Sequence, residues 1–451
     1  MINMLLSEAA IPAKAKLIGK DMHFNGCCTD SREIKSGQMF IALHGERFDG
    51  HKFLKQAQSA GACAAMVERD DQVDVLPSLV VDDSRKAMGR LARYWRNEFE
   101  LPLIALTGSN GKTTVKEMLA SILALEAPVL FTQGNLNNDI GVPLTLFRLG
   151  QEHRYAVIEM GANHPGEISW LSEITRPTVA LITQCAPAHL RGFGSVEGVA
   201  KAKAEIFNGL IDSGTAIINA DDNYAGFWRE TVVTRKQLSF GIENKADVFA
   251  TDISFNAETN SSNFVLHTPD FSGKVSLLLP GIHNIMNALA ATACCLAVGM
   301  GSSVIKKGLE RVPAAKGRMQ LKYTKTGIRI FDDTYNANPA SLKAGLDVLM
   351  KYAGRRWLVL GDMGELGETE TQLHLQAGET ARECGIERLY AIGELSRHAV
   401  QGFGEGARHF SRIEDLINAL NNDLSEGITV LVKGSRAMAM ERVVNGLTGE
   451  S

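Results

Sequence analysis

Short apolar runs alternate with longer stretches of helical periodicity along most of this chain. The runs include QMFIAL from Gln38, LIAL from Leu103, YAVIEM from Tyr155 and TVALIT from Thr178. Further along come TAIIN from Thr215, RIF from Arg329, RWLVL from Arg356, RLYAI from Arg388 and ITVLV from Ile428. Runs this short, bounded by Gly, Asp and Asn, predict strands, and the amphipathic segments between them predict crossover helices over a mostly parallel sheet.

The pattern divides the chain into three parts. From 1 to 100, the strands QMFIAL, AAMVE and SLVVDD and a helix-like run from His51 to Ala60 predict a small mixed α/β domain. From 101 to 312 the alternation is regular. It contains a predicted helix from Val196 to Leu210, a β-rich stretch from Leu238 to Leu279, and the apolar helix NALAATACCLAV, whose Cys294 and Cys295 read as core. From 313 to 451 a second nucleotide-fold-like α/β layer follows. The expected class is therefore α/β in three domains: a mixed N-terminal one, a central P-loop parallel-sheet ATPase domain and a Rossmann-like C-terminal one. A length of 451 residues accommodates about three such units, each with a core.

The stretch LIALTGSNGKTTVKEMLASIL, Leu103 to Leu123, carries the first chemistry. A strand, a glycine turn and a helix in that order make a phosphate-binding loop, because Gly108 and Gly111 let the N–H groups of Ser109, Asn110 and their neighbours converge on an anion at a helix N-terminus. Lys112 adds a positive charge for the β- and γ-phosphates, and Thr113, followed by Thr114, offers a hydroxyl to a metal ion. The longest form of the motif would have glycine where this chain has Leu106.

Other candidates lie at predicted strand ends, where open parallel sheets gather ligands. Glu159 finishes YAVIEM as a carboxylate that needs a partner if buried, and His189 follows TVALIT. Lys201 and Lys203, in VAKAKAEIF, read as a solvated helix face. Thr29-Asp30-Ser31-Arg32 and Gly45-Glu46-Arg47-Phe48-Asp49-Gly50-His51 read as polar turns, for which Asp, Ser and Gly suffice. Asp332 and Asp333 form a pair at the end of RIFDD.

A net charge of -4, with no basic run, argues against nucleic acid as a partner. Seven cysteines without paired spacing read as reduced thiols of a cytosolic protein. The N-terminal stretch lacks signal-peptide character, and no apolar run approaches the ~20 residues of a membrane span. A nucleotide switch is one rival reading, since Asn244-Lys245-Ala246-Asp247 matches a guanine-reading string. The D-x-x-G that should precede it is found only after it, from Asp270 to Gly273. An ATP-dependent ligase, which must position phosphate and two further substrates, makes better use of three domains.

Taken together, several strings resemble the Mur ligases, which add amino acids to the peptidoglycan precursor. They are T-D-S-R, G-E-R-F-D-G-H, T-G-S-N-G-K-T-T, G-N-L-N-N-D-I-G-V-P, V-I-E-M-G-A-N-H-P-G-E-I, A-H-L-x-x-F-G-S, K-A-K-A-E-I-F, H-N-I-M-N-A, D-D-T-Y-N-A-N-P, G-D-M-x-E-L-G and V-K-G-S-R. The string from Gly134 to Pro143 resembles the member that joins D-alanyl-D-alanine to UDP-N-acetylmuramoyl-tripeptide, and the D-N-P-R-type string of the diaminopimelate-adding relative is absent. Those two substrates, ATP, Mg²⁺, a cytoplasmic location and a monomeric state are what the resemblance implies. A diaminopimelate- or lysine-adding relative, or a folylpolyglutamate synthase-like ligase, is the alternative within the superfamily.

The resemblance also implies roles for residues. Lys112, Lys203, His189 and Arg318 would be catalytic, and Thr113, Glu159, His189 and Lys203 would hold metal, with Lys203 matching the family's carbamoylated lysine. Asn284, Asn287, Arg318 and Asp333 would join Gly108 to Thr114 in holding ATP. Thr29, Asp30, Ser31, Arg32, Arg47, Asp49 and His51 match the UDP-sugar end, and Asn135, Asn137 and Asn138 fall along the nucleotide-peptide substrate. Gln184-Cys185 and Thr334 depart from the family pattern at positions to which the resemblance gives no ligand role.

Overall fold

Every residue of the strand Leu103–Thr107 is buried, and its side chains part to opposite faces of the sheet. Leu103 and Ala105 enter one apolar core while Ile104 and Leu106 enter another, the arrangement of a parallel sheet covered on both sides. This computed structural model describes residues 1–45, 48–69, 75–187 and 190–449.

The central sheet has nine strands, with Leu103–Thr107 between Tyr155–Glu159 and Val179–Ile182. Pairing is parallel from Val129–Phe131 at one edge through to Val248–Asn256. It then turns antiparallel through Ser261–Thr268 and Phe271–Leu277, the β-rich stretch expected from the sequence. The helix Lys112–Leu123 buries Val115, Met118, Leu119 and Ile122, the i, i+3, i+4, i+7 stripe of an amphipathic helix. Each such side chain contributes about 1.5–3 kcal/mol when fully buried, and together they pin the loop that precedes the helix to the sheet.

The first domain is built on a mixed five-stranded sheet. The strand Asn3–Leu5 and helix Leu6–Ala13 also form there, although no sequence pattern announced them. The helix Ser84–Asn97, capped by the Asp83 carboxylate accepting from Lys86 N–H, carries the main join to the central domain. One apolar cluster runs without a break from Ile2, Leu6 and Met39 through Leu91 to Leu103 and Ile158. Arg96 on that helix is buried and donates to the carbonyls of Phe99 at 2.6 Å and Thr175 at 3.1 Å. Burial pulls its guanidinium down to about 10. The first two domains therefore share a core.

The third domain is a six-stranded sheet, parallel except for its edge strand Gln320–Tyr323, with separate cores on its two faces. Two predicted helices are shorter than expected. The segment from Val196 is helical to Ala204 and then tightens into a 3-10 turn, Glu205–Gly209, where Glu205 accepts from the N–H groups of Gly166 and Ser169. The run from His51 begins as a 3-10 turn, Gly50–Phe53, capped by Asp49, and only Leu54–Ser59 is α-helical. Among the described residues no helix is long and apolar enough to cross a membrane, and the seven cysteines are free thiols.

Candidate active site

The loop after Leu103–Thr107 requires glycine at two positions. Gly108 and Gly111 have φ of 153° and 85°, and a Cβ on them would lie 1.7 Å from Thr183 Oγ1 and 2.4 Å from Asn287 Oδ1. Only glycine fits both the backbone and the space. The loop is fastened from the end of the neighbouring strand. Thr183 Oγ1 donates to Asn110 O at 2.6 Å, Ser109 N–H donates to Gln184 O at 2.9 Å, and Ser109 Oγ donates to Ala186 O at 2.9 Å.

Lys112 folds back over this loop, its ammonium 2.7 Å from Gly108 O. Burial draws its pKa down and the nearby Glu159 carboxylate opposes the fall. Glu159, at the end of its strand, is buried. Its Oε1 accepts from Asn137 Nδ2 at 2.9 Å and from Thr113 Oγ1 at 3.4 Å. Thr113 Oγ1 in turn accepts from Arg318 Nη2 at 3.3 Å, and the Arg318 guanidinium lies 4.1 Å from the centre of the Tyr335 ring.

Three polar atoms around the loop are buried without a hydrogen-bond partner: Asn110 Nδ2, Glu159 Oε2 and Arg318 Nε. An unmet buried group costs about 1–3 kcal/mol. Two donors and one anionic acceptor left open beside a phosphate-type loop are what a bound anion and its cation would satisfy.

Lys203 departs from the solvated-face reading. It is 7% exposed, and burial, reinforced by the Lys112 charge, lowers it to about 7. Lys201 keeps the solvated position and pairs with Glu197 at 2.6 Å.

These residues open onto a cleft of about 820 Å³, within the range of small-molecule sites. Gly108, Ser109, Asn110, Gly111, Lys112, Asn135, Asn137, Asn138, Glu159, Lys203 and Arg318 all line it. Arg85 of the first domain and Tyr335 and Asn338 of the third close its walls. A second cavity of about 290 Å³ beside the loop holds Thr114, Asn284, Asn287 and Asp333.

The UDP-sugar candidates stand apart, for Thr29, Asp30, Ser31, Arg32, Asp49 and His51 line neither space. Asp30 pairs with Arg32 at 2.6 Å, and the hydrogen bonds from Arg32 hold its carboxyl down at about 2. His51 Nδ1 donates to Asp49 at 2.8 Å while its Nε2 accepts from Glu68 N–H at 2.9 Å. Arg47 and His189 lie outside the described residues. The guanine-type string is a turn, in which Asp247 accepts from Ser239 N–H and Oγ and Asn244 N–H donates to Asp221.

Sequence reasoning assigned no role to Tyr335, Asn338, Arg85 or Lys433. Asn338 had a local signal: it precedes Pro339 and caps the helix Pro339–Leu349 by accepting from Ser341 N–H at 2.9 Å. Its free Nδ2 donates to Asn110 Oδ1 at 2.8 Å, a contact no local pattern announces. Arg85 pairs with Asp139 at 3.0 Å, tying the first domain to the loop that carries Asn135, Asn137 and Asn138.

With a third α/β domain seated on the phosphate loop of the second, fold and site have the layout of an ATP-dependent ligase, which must position phosphate beside further substrates. Comparison with known proteins narrows this. The family model for the Mur ligase middle domain matches residues 106–295, that for the Mur ligase glutamate ligase domain matches 317–436, and that for the Mur ligase family catalytic domain matches 23–96. The UDP-N-acetylmuramoyl-tripeptide–D-alanyl-D-alanine ligase of Escherichia coli (strain K12) is 45% identical over 449 residues, covering 99% of each chain. Its Haemophilus influenzae counterpart is 42% identical over 460 residues, again covering 99% of each. A crystal structure of MurF from Acinetobacter baumannii matches with a TM-score of 0.93 at 39% identity, covering 100% of this chain and 99% of that one. The MurF ligase of Thermotoga maritima in complex with ADP matches with a TM-score of 0.84 at 28% identity, covering 94% and 97%. The chain belongs to the Mur ligase family and, within it, is similar to MurF.

Proposed function

We propose that this protein ligates D-alanyl-D-alanine to UDP-N-acetylmuramoyl-tripeptide at the expense of ATP, in the cytoplasm and as a monomer, as a step of peptidoglycan synthesis. The observation that carries the reading is the convergence of Lys112, Lys203, Arg318 and the unpartnered Glu159 Oε2 on one cleft walled by all three parts of the chain. We take these parts as working domains of 1–100 for the UDP-sugar, 101–312 for ATP and 313–451 for completing the ligase site.

In the first step an oxygen of the tripeptide's terminal carboxylate attacks the γ-phosphorus of ATP. The bond to the β,γ-bridging oxygen breaks, giving an acyl phosphate and ADP. In the second, the D-alanyl-D-alanine amine attacks the acyl carbon, and the tetrahedral intermediate loses phosphate and a proton to leave the amide. Lys112 and Arg318 place positive charge where phosphoryl oxygens gain negative charge, and the loop N–H groups orient the phosphates. Asn284, Asn287 and Asp333 hold the nucleoside side in the second cavity. Asn135, Asn137 and Asn138 line the path of the peptide, and the segments around Thr29–Arg32 and Arg47–His51 hold the uridine diphosphate sugar. No side chain is required as a covalent nucleophile.

The residues fit Mg²⁺. Glu159 Oε2 is a buried anionic oxygen with no partner, Thr113 offers a hydroxyl beside it, and His189 belongs to the same proposed set. When bound, the ion neutralises charge on the transferring phosphoryl group. Lys203 fits the role of a carbamoylated ligand, because a buried lysine lowered to about 7 presents a neutral amine to CO₂ near neutral pH.

Phosphate release from ATP and Mg²⁺, measured with each candidate UDP-sugar peptide and each candidate amine, tests the function. Turnover should require UDP-N-acetylmuramoyl-tripeptide and D-alanyl-D-alanine together, and Lys112→Ala should abolish it by about 10²-fold or more while leaving the protein folded. Turnover with glutamate or diaminopimelate as the preferred amine would overturn the assignment.

A further inference from the structure

Lys433 ends the strand Ile428–Lys433 on the side of the third domain that faces the phosphate loop, 2% exposed. Its register partner on the adjacent parallel strand is Asp333. The ammonium lies 2.5 Å from Asp333 Oδ2 and 3.0 Å from Asn336 O. Asp333 Oδ1 accepts from the N–H of Met319, the residue after Arg318, at 3.2 Å. One buried cation therefore has a hold on two features that reach the phosphate loop. Through Asp333 it fixes the backbone beside Arg318. Through the Asn336 carbonyl it fixes the 334–338 segment, which places Tyr335 against Arg318 and Asn338 against Asn110. Lys433 also lines the second cavity with Asn284 and Arg318.

Neutralising Asp333 would need only a single contact. An ammonium has three donors, and here a second one is spent on a loop carbonyl, which organises backbone rather than charge. Burial draws the Lys433 pKa down and the Asp333 carboxylate opposes the fall, so pairing with Asp333 favours the charged form that makes both bonds.

We infer that Lys433 is a positioning residue for the nucleotide, holding Asp333 and the 334–338 segment in the arrangement that seats Arg318 and Asn338 on the phosphate loop. This rests on the ligase reading above, and it deepens that reading by naming what sets nucleotide affinity from the third domain. The uridine diphosphate end of the other substrate, assigned to the first domain outside the central cleft, is not held by it.

The test is calorimetric titration of ADP with Mg²⁺ into the full-length wild-type and Lys433→Met proteins, together with steady-state KM values for ATP and for the UDP-sugar peptide. Because apparent affinity scales with the fraction of protein already in the competent arrangement, the ADP Kd and the ATP KM should each rise about tenfold. The KM for the UDP-sugar peptide, whose sugar end is assigned to the first domain, should rise less. Lys433→Arg, which keeps charge and donors, should recover part of the ADP affinity. Unchanged ADP affinity in Lys433→Met, or a fall in kcat with both KM values unchanged, reduces Lys433 to a core residue and overturns the inference. If Lys433→Met does not fold, Lys433→Gln and Lys433→Arg are titrated instead. Weaker ADP binding in Gln than in Arg supports the assignment, and wild-type affinity in both overturns it. A wild-type protein that binds no ADP would remove the ligase reading itself, an outcome distinct from all of these.

Discussion

Asn338 Nδ2 donates to Asn110 Oδ1 at 2.8 Å, joining the third domain to the phosphate loop across 228 residues of chain. With the bond from Arg318 to Thr113, and with Phe255 and Ala257 packed on the third domain's core where the Tyr352 hydroxyl donates to Asn260, it makes an attachment of separate contacts, unlike the continuous apolar core that joins the first two domains. An interface of this kind can open and reclose around ligands.

Domain closure should therefore be ligand-dependent. Asn338→Asp keeps the oxygen that caps Ser341 but replaces the donor facing Asn110. Losing one such hydrogen bond, worth about 0.5–1.5 kcal/mol, should raise the KM for ATP about two- to tenfold. Solution scattering should show compaction of the wild type on adding ATP and UDP-sugar peptide, with less of it in the variant. Identical curves with and without both ligands would mean that the third domain stays seated regardless.

Lys203 and Lys201 should behave in opposite ways. Lys203→Ala should lower turnover about 10²–10³-fold, the scale of losing a preorganised charge at a reacting group. Short carboxylic acids in the buffer should restore part of it by occupying the vacated anionic position. Lys201→Ala, which removes only a solvent-exposed pair with Glu197, should leave turnover near wild type. Full activity of Lys203→Ala in CO₂-depleted buffer would return Lys203 to an ordinary buried lysine.

Stability should fall in mild acid through His283. Burial lowers this histidine from 6.5 to about 4, with Lys433 adding to the effect and Asp333 and Asp347 opposing it. Above pH ~6.5 both folded and unfolded chains carry the neutral ring, so nothing is gained or lost. Between ~6.5 and ~4 the unfolded chain takes up a proton that the folded chain refuses, and stability falls with pH. At ~1.4 kcal/mol per pH unit, reduced because the ring borders an open cavity, the loss should be about 1–3 kcal/mol. Denaturant midpoints of wild type and His283→Gln from pH 7.5 to 4.5 measure it, and parallel pH profiles for the two proteins would rule His283 out as the source.

What could be read in the sequence was what neighbouring residues decide among themselves. The apolar run from Leu103, the stripe Val115, Met118, Leu119 and Ile122, and the glycines at 108 and 111 each announce a strand, a helix and a turn, because backbone sterics and side-chain period act over a few residues. Even the cap at Asn338 is local, written in the proline that follows. Tertiary packing decided the rest. Lys201 and Lys203 sit in one helix within the same repeating pattern, and only the elements folded over that helix expose one and bury the other. Glu205 ends the helix early because Gly166 and Ser169, far back in the chain, present their N–H groups to it. Thr29 to Arg32 form the polar turn their composition predicts, yet only the folded domain shows that they stand outside the central cleft. Lys433 looks like the end of any buried strand until Asp333 and Asn336, about a hundred residues earlier, are brought against it. Contacts of that separation depend on where whole sheets dock, and no local pattern in the chain encodes that.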